Sequence, residues 1–183
     1  MQKYSGNLVS RSKSYFIDRY IQILNRKMYP EEKIKAYMEY GNALWDNVKN
    51  LPYRYCHGDL NRGNILQTPD GEMVLLDFDT SCSAFAIFDI MMVCNCTDYF
   101  SYNDDGYKET KGIYERFLTG YSDYHSLSEN EMSAFYDFVA IMHYQLQATI
   151  IEIHGLDCVD EKFIDHQLEW LLKWREQCQR ECS

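Results

Sequence analysis

The chain has 183 residues, with 28 acidic against 18 basic side chains for a formal net charge of -10, 46% hydrophobic residues and 15% aromatic ones. That apolar share is too high for a disordered tail, and the length suffices for one globular domain with a sizeable core. The shortage of Lys and Arg excludes a protein that coats nucleic acid or an anionic membrane by charge, because phosphate neutralisation needs clustered cations.

The start of the chain, Met1 to Gly6, has no apolar stretch behind Lys3, so no secretory signal and a cytoplasmic location are expected. The cysteines at 56, 82, 94, 96, 158, 178 and 182 are odd in number and show no repeated zinc-like spacing, which reads as reduced thiols that mostly fill the core. Cys94 and Cys96 flank Asn95 in an apolar stretch with no His nearby, so packing is preferred there over a metal.

Phe16, Ile17, Tyr20, Ile21 and Leu24 recur at helical spacing and predict an amphipathic helix that ends before Pro30. Pro30 suits a first helical position, Glu31 and Glu32 favour the dipole of a first turn, and Ile34, Tyr37, Met38, Leu44, Trp45 and Val48 carry a second helix to about Asn47. After Pro52 the pattern changes. Two short apolar runs, Asn64 to Gln67 and Met73 to Phe78, flank Thr68-Pro69-Asp70-Gly71, whose residues are turn formers; a small β-hairpin is expected. Phe85 to Cys96 is apolar throughout but too short for a bilayer span, and predicts a helix buried on all sides.

Tyr107, Tyr114, Phe117, Leu118 and Tyr121 mark a further helix ending near Gly120, and Ser128 with Glu131 forms a capping-box start for a long one through Ile153. Asp160 is expected to cap the last helix, with Ile164, Leu168, Leu171 and Leu172 inward. The aromatic stripes and the histidines His125, His143, His154 and His166 read as packing, cap or surface positions rather than ligands. No repeat or linker interrupts the pattern, so residues 1–183 are expected to form a single α+β domain, mainly α.

Chemistry concentrates between residues 55 and 80. His57, Asp59, Asn64 and Asp77 are polar groups beside apolar ones, in a loop and at the end of a strand, where catalytic groups are commonly mounted on a rigid frame. With Gly58 and Gly63 allowing unusual backbone angles, Asp59 and Asn64 can point to one volume, and the strand ending at Asp77 adds a carboxylate to it. A few hard oxygen donors suit Mg²⁺ shared with substrate phosphates, and Asp59 can then accept or orient the proton of a hydroxyl nucleophile.

This window, His57-Gly58-Asp59-Leu60-Asn61-Arg62-Gly63-Asn64 followed by Leu75-Leu76-Asp77-Phe78-Asp79, resembles the aminoglycoside phosphotransferase and choline kinase-like family. The same frame occurs in protein kinases, and Gly58 in place of their Arg points to the small-molecule branch. The resemblance implies the C-terminal lobe of a protein-kinase-like fold, helical with a small β-hairpin carrying the catalytic and metal residues. It implies Asp59 as catalytic base, Asn64 and Asp77 as Mg²⁺ ligands with Asp79 helping the metal shell or loop, and His57, Asn64 and Asp77 on the cofactor side, His57 bracing the loop. Asp89 corresponds to a helix Asp that accepts backbone N–H groups of that loop. The implied reaction is transfer of the ATP γ-phosphoryl group to a hydroxyl of a small molecule, with a cationic acceptor compatible with the net charge.

Only Gly6 and Gly41 precede His57, in largely helical sequence, so neither a glycine-rich phosphate cover nor a strand lysine is expected there. The N-terminal nucleotide-binding lobe is therefore expected to be absent and the chain truncated, with little or no activity. Two alternatives stand beside that reading: a noncatalytic binding or scaffold protein whose bared lobe surface is covered by self-association or a partner, and a metal-dependent phosphoesterase using the Asp-Asn-Asp set.

Overall fold

The computed structural model describes residues 8–181. The chain start, on which the expectation of no secretory signal rests, and Gly6 and Cys182 lie outside the described residues.

Strand β1 (Val9–Ser10) leads into a π-turn at Ser14–Asp18 and helix α1 (Arg19–Arg26). Met28, in the left-handed region at φ 55°, breaks the chain away from α1. Pro30, with ψ 128°, stands at the cap of α2 (Glu31–Val48) rather than inside its first turn as expected, and Glu31 and Glu32 fill that turn. Strand β2 (Tyr53–Cys56) follows, then the hairpin of β3 (Ile65–Gln67) and β4 (Met73–Leu75). Its turn closes through Thr68, whose N–H donates to the Glu72 carbonyl at 2.8 Å, with Gly71 at φ 89°.

The sequence reading anticipated this hairpin but not the larger sheet. β5 (Cys82–Phe85) runs parallel to β1 and antiparallel to β2, in the order β1-β5-β2, with Tyr53 opposite Phe85 and Cys56 opposite Cys82. Phe85, expected to open a helix, ends this strand, and α3 (Ala86–Cys94) begins at the next residue, mostly buried as expected.

Helix α4 (Asp104–Tyr121) starts on an Asn103 cap. The capping box forms as predicted, the Glu131 N–H donating to Ser128 Oγ and the Ser128 N–H to Glu131 Oε2. The long helix is however split at Ala134 into α5 (Glu129–Ser133) and α6 (Phe135–His154). Asp160 caps α7 (Glu161–Glu181), accepting from the Phe163 N–H at 2.9 Å.

The core wraps α6, which packs against α1, α2, α3 and α7. Phe16, Phe85, Phe88 and Phe138 meet with ring centroids 5.2 to 6.3 Å apart. Two buried tyrosines satisfy their hydroxyls across helices: Tyr37 donates to the Ile164 carbonyl at 2.8 Å and Tyr144 to that of Tyr37 at 3.0 Å. On α7, Ile164 and Leu171 are buried as expected, but Leu168 and Leu172 are only half-buried, and Gln167, Trp170 and Trp174 complete the inner face. Of the described cysteines, all free, Cys56, Cys82 and Cys94 are core residues. Among the described residues no helix is long and apolar enough to cross a membrane.

His143 is the histidine the core absorbs. It stacks on Trp170 with centroids 3.7 Å apart and pairs through Nδ1 with Gln167 Oε1 at 2.8 Å. Burial pushes its pKa down to about 4, against the pull of Gln167. A group depressed in the folded state withdraws stability as pH falls below its unfolded value near 6.5. Urea unfolding of a His143→Gln variant checks this: between pH 6 and 4.5 the native chain should lose stability relative to the variant, by up to about 1.4 kcal/mol per pH unit.

Candidate active site

Strand β2 delivers the chain to Cys56, and the next residues, still buried, leave the sheet. There the backbone N–H groups of His57 and Gly58 find no strand partner. Both donate instead to Asp89 on α3, at 2.6 Å to Oδ2 and 3.0 Å to Oδ1, the role expected for that residue. Burial raises the Asp89 pKa from its ordinary value, opposed by these N–H groups and by the nearby Arg11 charge.

Gly58 is in the left-handed region at φ 84°, and a Cβ there would lie 2.3 Å from the Thr80 carbonyl oxygen. Only glycine lets the loop and the segment after Asp79 touch backbone to backbone. Arg11 locks that contact. Its Nη1 donates to the Gly58 carbonyl at 3.1 Å and its Nη2 to that of Thr80 at 2.9 Å, while Thr80 Oγ1 donates to the His57 carbonyl at 3.2 Å.

His57, expected on the cofactor side as well as in bracing, is buried at 2% exposure. Its Nε2 pairs with the Leu76 carbonyl at 2.8 Å and its ring lies against Phe78 at 4.6 Å. The imidazole thus grips the residue before Asp77 and is a bracing group rather than one that faces solvent.

Asp59 is half-buried and both its carboxylate oxygens are oriented: Oδ1 accepts from Asn61 Nδ2 at 3.0 Å and Oδ2 from Asn64 Nδ2 at 3.1 Å. Asn61 also caps the short helical turn Arg62–Asn64, accepting from the Gly63 N–H at 2.8 Å. Because the Asn64 amide donates through its nitrogen, also to the Asp59 carbonyl at 2.9 Å, its oxygen end is the one left for a cation.

Asp77 was expected at the end of a strand. It lies two residues past the end of β4, in the left-handed region at φ 57°, a conformation Asp tolerates better than most residues. The Leu76 N–H donates to the Asn64 carbonyl at 2.9 Å, which extends the hairpin by one pairing, and Asp77 is the next residue. Asp77 and Asp79 are exposed. Among the described residues no three His, Cys, Asp or Glu side chains group as a metal site. An amide oxygen with one or two carboxylates nonetheless fits Mg²⁺, which keeps several waters and shares its shell with phosphates.

Arg11 and Thr80 were missed by sequence reasoning. A lone Arg between serines, after a two-residue strand, carries no pattern; its role exists only through contacts across the fold.

The pattern of the phosphotransferase enzyme family matches residues 7–129. An uncharacterized protein of Deinococcus radiodurans is 27% identical over 131 residues, which are 69% of this chain and 37% of that protein. Among solved structures, an amicoumacin kinase in complex with AMP-PNP, Ca²⁺ and its ligand superposes with a TM-score of 0.66 at 16% identity, covering 96% of this chain and 54% of that one. A choline/ethanolamine kinase family protein of Mesorhizobium loti gives 0.57 at 15% identity, covering 96% and 56%, and an ethanolamine kinase of Plasmodium vivax 0.52 at 18%, covering 96% and 53%. The fold is therefore kinase-like, and the chain spans about half the length of these solved kinases.

Removing the Asp89 carboxylate orphans two N–H groups at the head of the loop. Asp89→Ala should cost about 3 kcal/mol in urea unfolding and raise amide hydrogen exchange at His57 and Gly58, with Asp89→Asn between it and the native chain.

Proposed function

The chain belongs to the phosphotransferase enzyme family, and on that premise we propose that it carries the catalytic and metal-binding part of a small-molecule kinase, which moves the γ-phosphoryl group of ATP to a hydroxyl. The observation that carries this reading is the Asp59 carboxylate, fixed at both oxygens by Asn61 and Asn64, with the Asn64 carbonyl paired to the Leu76 N–H just before the exposed Asp77.

In this reading Asp59 accepts the proton of the acceptor hydroxyl as its oxygen bonds to phosphorus and the bond to the β-phosphate oxygen breaks. The Asn64 oxygen and Asp77 hold Mg²⁺, with Asp79 supporting that shell. Mg²⁺ bound there would neutralise charge on the transferred phosphoryl group. His57 serves the cofactor side indirectly, keeping Leu76, and so Asp77, in register.

The nucleotide's cover is proposed to lie outside these residues, since the described chain before His57 is helical apart from β1 and β2. Leu66, Met73, Val74, Leu76 and Phe78 are exposed on and beside the hairpin, an apolar surface on which such a cover would pack. An acceptor bearing a cationic amine is compatible with the net charge of -10.

Mn²⁺ as a stand-in for Mg²⁺ tests the metal assignment. Titrated into the 183-residue chain, it should broaden the NMR signals of Asn64, Asp77 and Asp79, and Asp77→Ala should remove the effect; broadening that persists in the variant contradicts the assignment. The chain alone should bind Mg·ATP more weakly than about 1 mM. In the active kinase that contains it, Asp59→Asn should lower kcat by at least about 100-fold with little change in ATP affinity.

A further inference from the structure

A groove of about 590 Å³ lies between α2, α6 and α7. No residue of the catalytic loop or of the segment after the hairpin lines it. A hollow of about 400 Å³ continues it, and Asp137, in the first turn of α6, lines both. The Tyr40 and Trp174 side chains form buried parts of its wall.

Asp137 is half-buried. Asn47 Nδ2 reaches its two oxygens at 3.3 and 3.2 Å, the long end of the hydrogen-bond range, and among the described residues no ion pair includes it. Burial lifts its pKa to about 6, with the Asn47 bond opposing. The other charged lining groups differ: Glu39 is exposed and pairs with Lys35 at 3.7 Å, and Arg175 is exposed with its guanidinium 5.3 Å from the Tyr40 ring centroid.

We infer that this groove binds a small organic ammonium compound, its nitrogen on the Asp137 carboxylate and its apolar body against Tyr40 and Trp174. A half-buried carboxylate with no cation in contact gains most from a ligand that brings one. An anion on Arg175 would meet Asp137 and Glu39 instead. The volume suits a drug-sized ligand. The site owes nothing to the phosphoryl-transfer reading, because it shares no residue with that centre.

Tryptamine and indole-3-propionate, which share a ring system and carry opposite charges, are the probes for calorimetric titration into the full chain. Tryptamine should bind saturably at pH 7.5, at least about tenfold tighter than the propionate, and Asp137→Asn should lose about that factor. Ala43→Trp, at an exposed position of α2 on the groove wall, should block binding without touching the carboxylate. Both variants should keep the native urea midpoint or exceed it.

Lowering the pH from 7.5 to 5 should weaken binding roughly tenfold as Asp137 gains its proton. Of the other groups lining the groove, the buried Tyr40 hydroxyl is pushed up, away from this range; Arg175, Glu39, Tyr136 and Cys178 are the remaining charged or titratable ones, Arg175 and Glu39 facing solvent. In NMR, tryptamine should shift Tyr136, Asp137 and Trp174 and leave residues 57–64 unmoved. Absence of saturable binding, equal affinity for the two probes, full affinity in Asp137→Asn, or shifts confined to 57–64 would each overturn the inference.

Discussion

Everything in the candidate active site hangs on one carboxylate that would do no chemistry. Where β2 ends, the chain turns out of the sheet with two N–H groups facing inward, and Asp89 takes both. Its place is set by the core: Phe88, its neighbour on α3, packs on Phe16 and Phe138 at 5.2 and 6.0 Å. The cost is desolvation of the carboxylate, and it is partly offset by the same N–H groups and by the nearby Arg11 charge. A helix buried for hydrophobic reasons thereby becomes the datum from which the loop is measured.

Arg11 supplies the second constraint. One guanidinium spans the carbonyls of Gly58 and Thr80, so the loop bearing Asp59 and the segment bearing Asp77 and Asp79 are tied through a residue far upstream of both. His57 adds a third tie to Leu76. The placement of Asp59, Asn64 and the segment bearing Asp77 is thus decided behind the site, by Arg11, His57 and Asp89, all buried or half-buried. Lysine at position 11 would reach one carbonyl as a point charge but could not reproduce the two-pronged bridge.

The helices were legible because burial imposes a 3.6-residue period that survives in the residue types. Tyr20 and Leu24, Ile34 and Tyr37, Phe135 and Phe138 all face inward as their spacing requires. The His57 to Asp79 window was legible because polar residues interrupt an apolar pattern at fixed offsets. The sheet was not. β5 is four residues long and runs straight into α3, so its apolar side chains merge with the helical run and no turn signal marks the change. The left-handed turn at Asp77 was hidden for a related reason, since Leu75 and Leu76 read as strand whether or not pairing continues past them. Arg11 illustrates the general limit: a side chain whose partners are backbone carbonyls leaves no trace in composition or spacing.

The two sides of the site differ in how firmly they are held, and the difference follows from the same contacts. The loop rests on a packed helix, whereas β3 and β4 are three-residue strands with Leu66, Met73 and Val74 exposed, and an isolated two-stranded hairpin is marginal in water. Its base is secured by the Leu76 N–H on the Asn64 carbonyl and by His57 on the Leu76 carbonyl. Its tip has only the turn around Thr68 and Glu72. Asn64 and Asp77 sit at the base. Within the hairpin the ties gather at the base, where the proposed metal donors stand, and thin toward the apolar tip, so a surface packed over the tip would order the strands without having to move the donors.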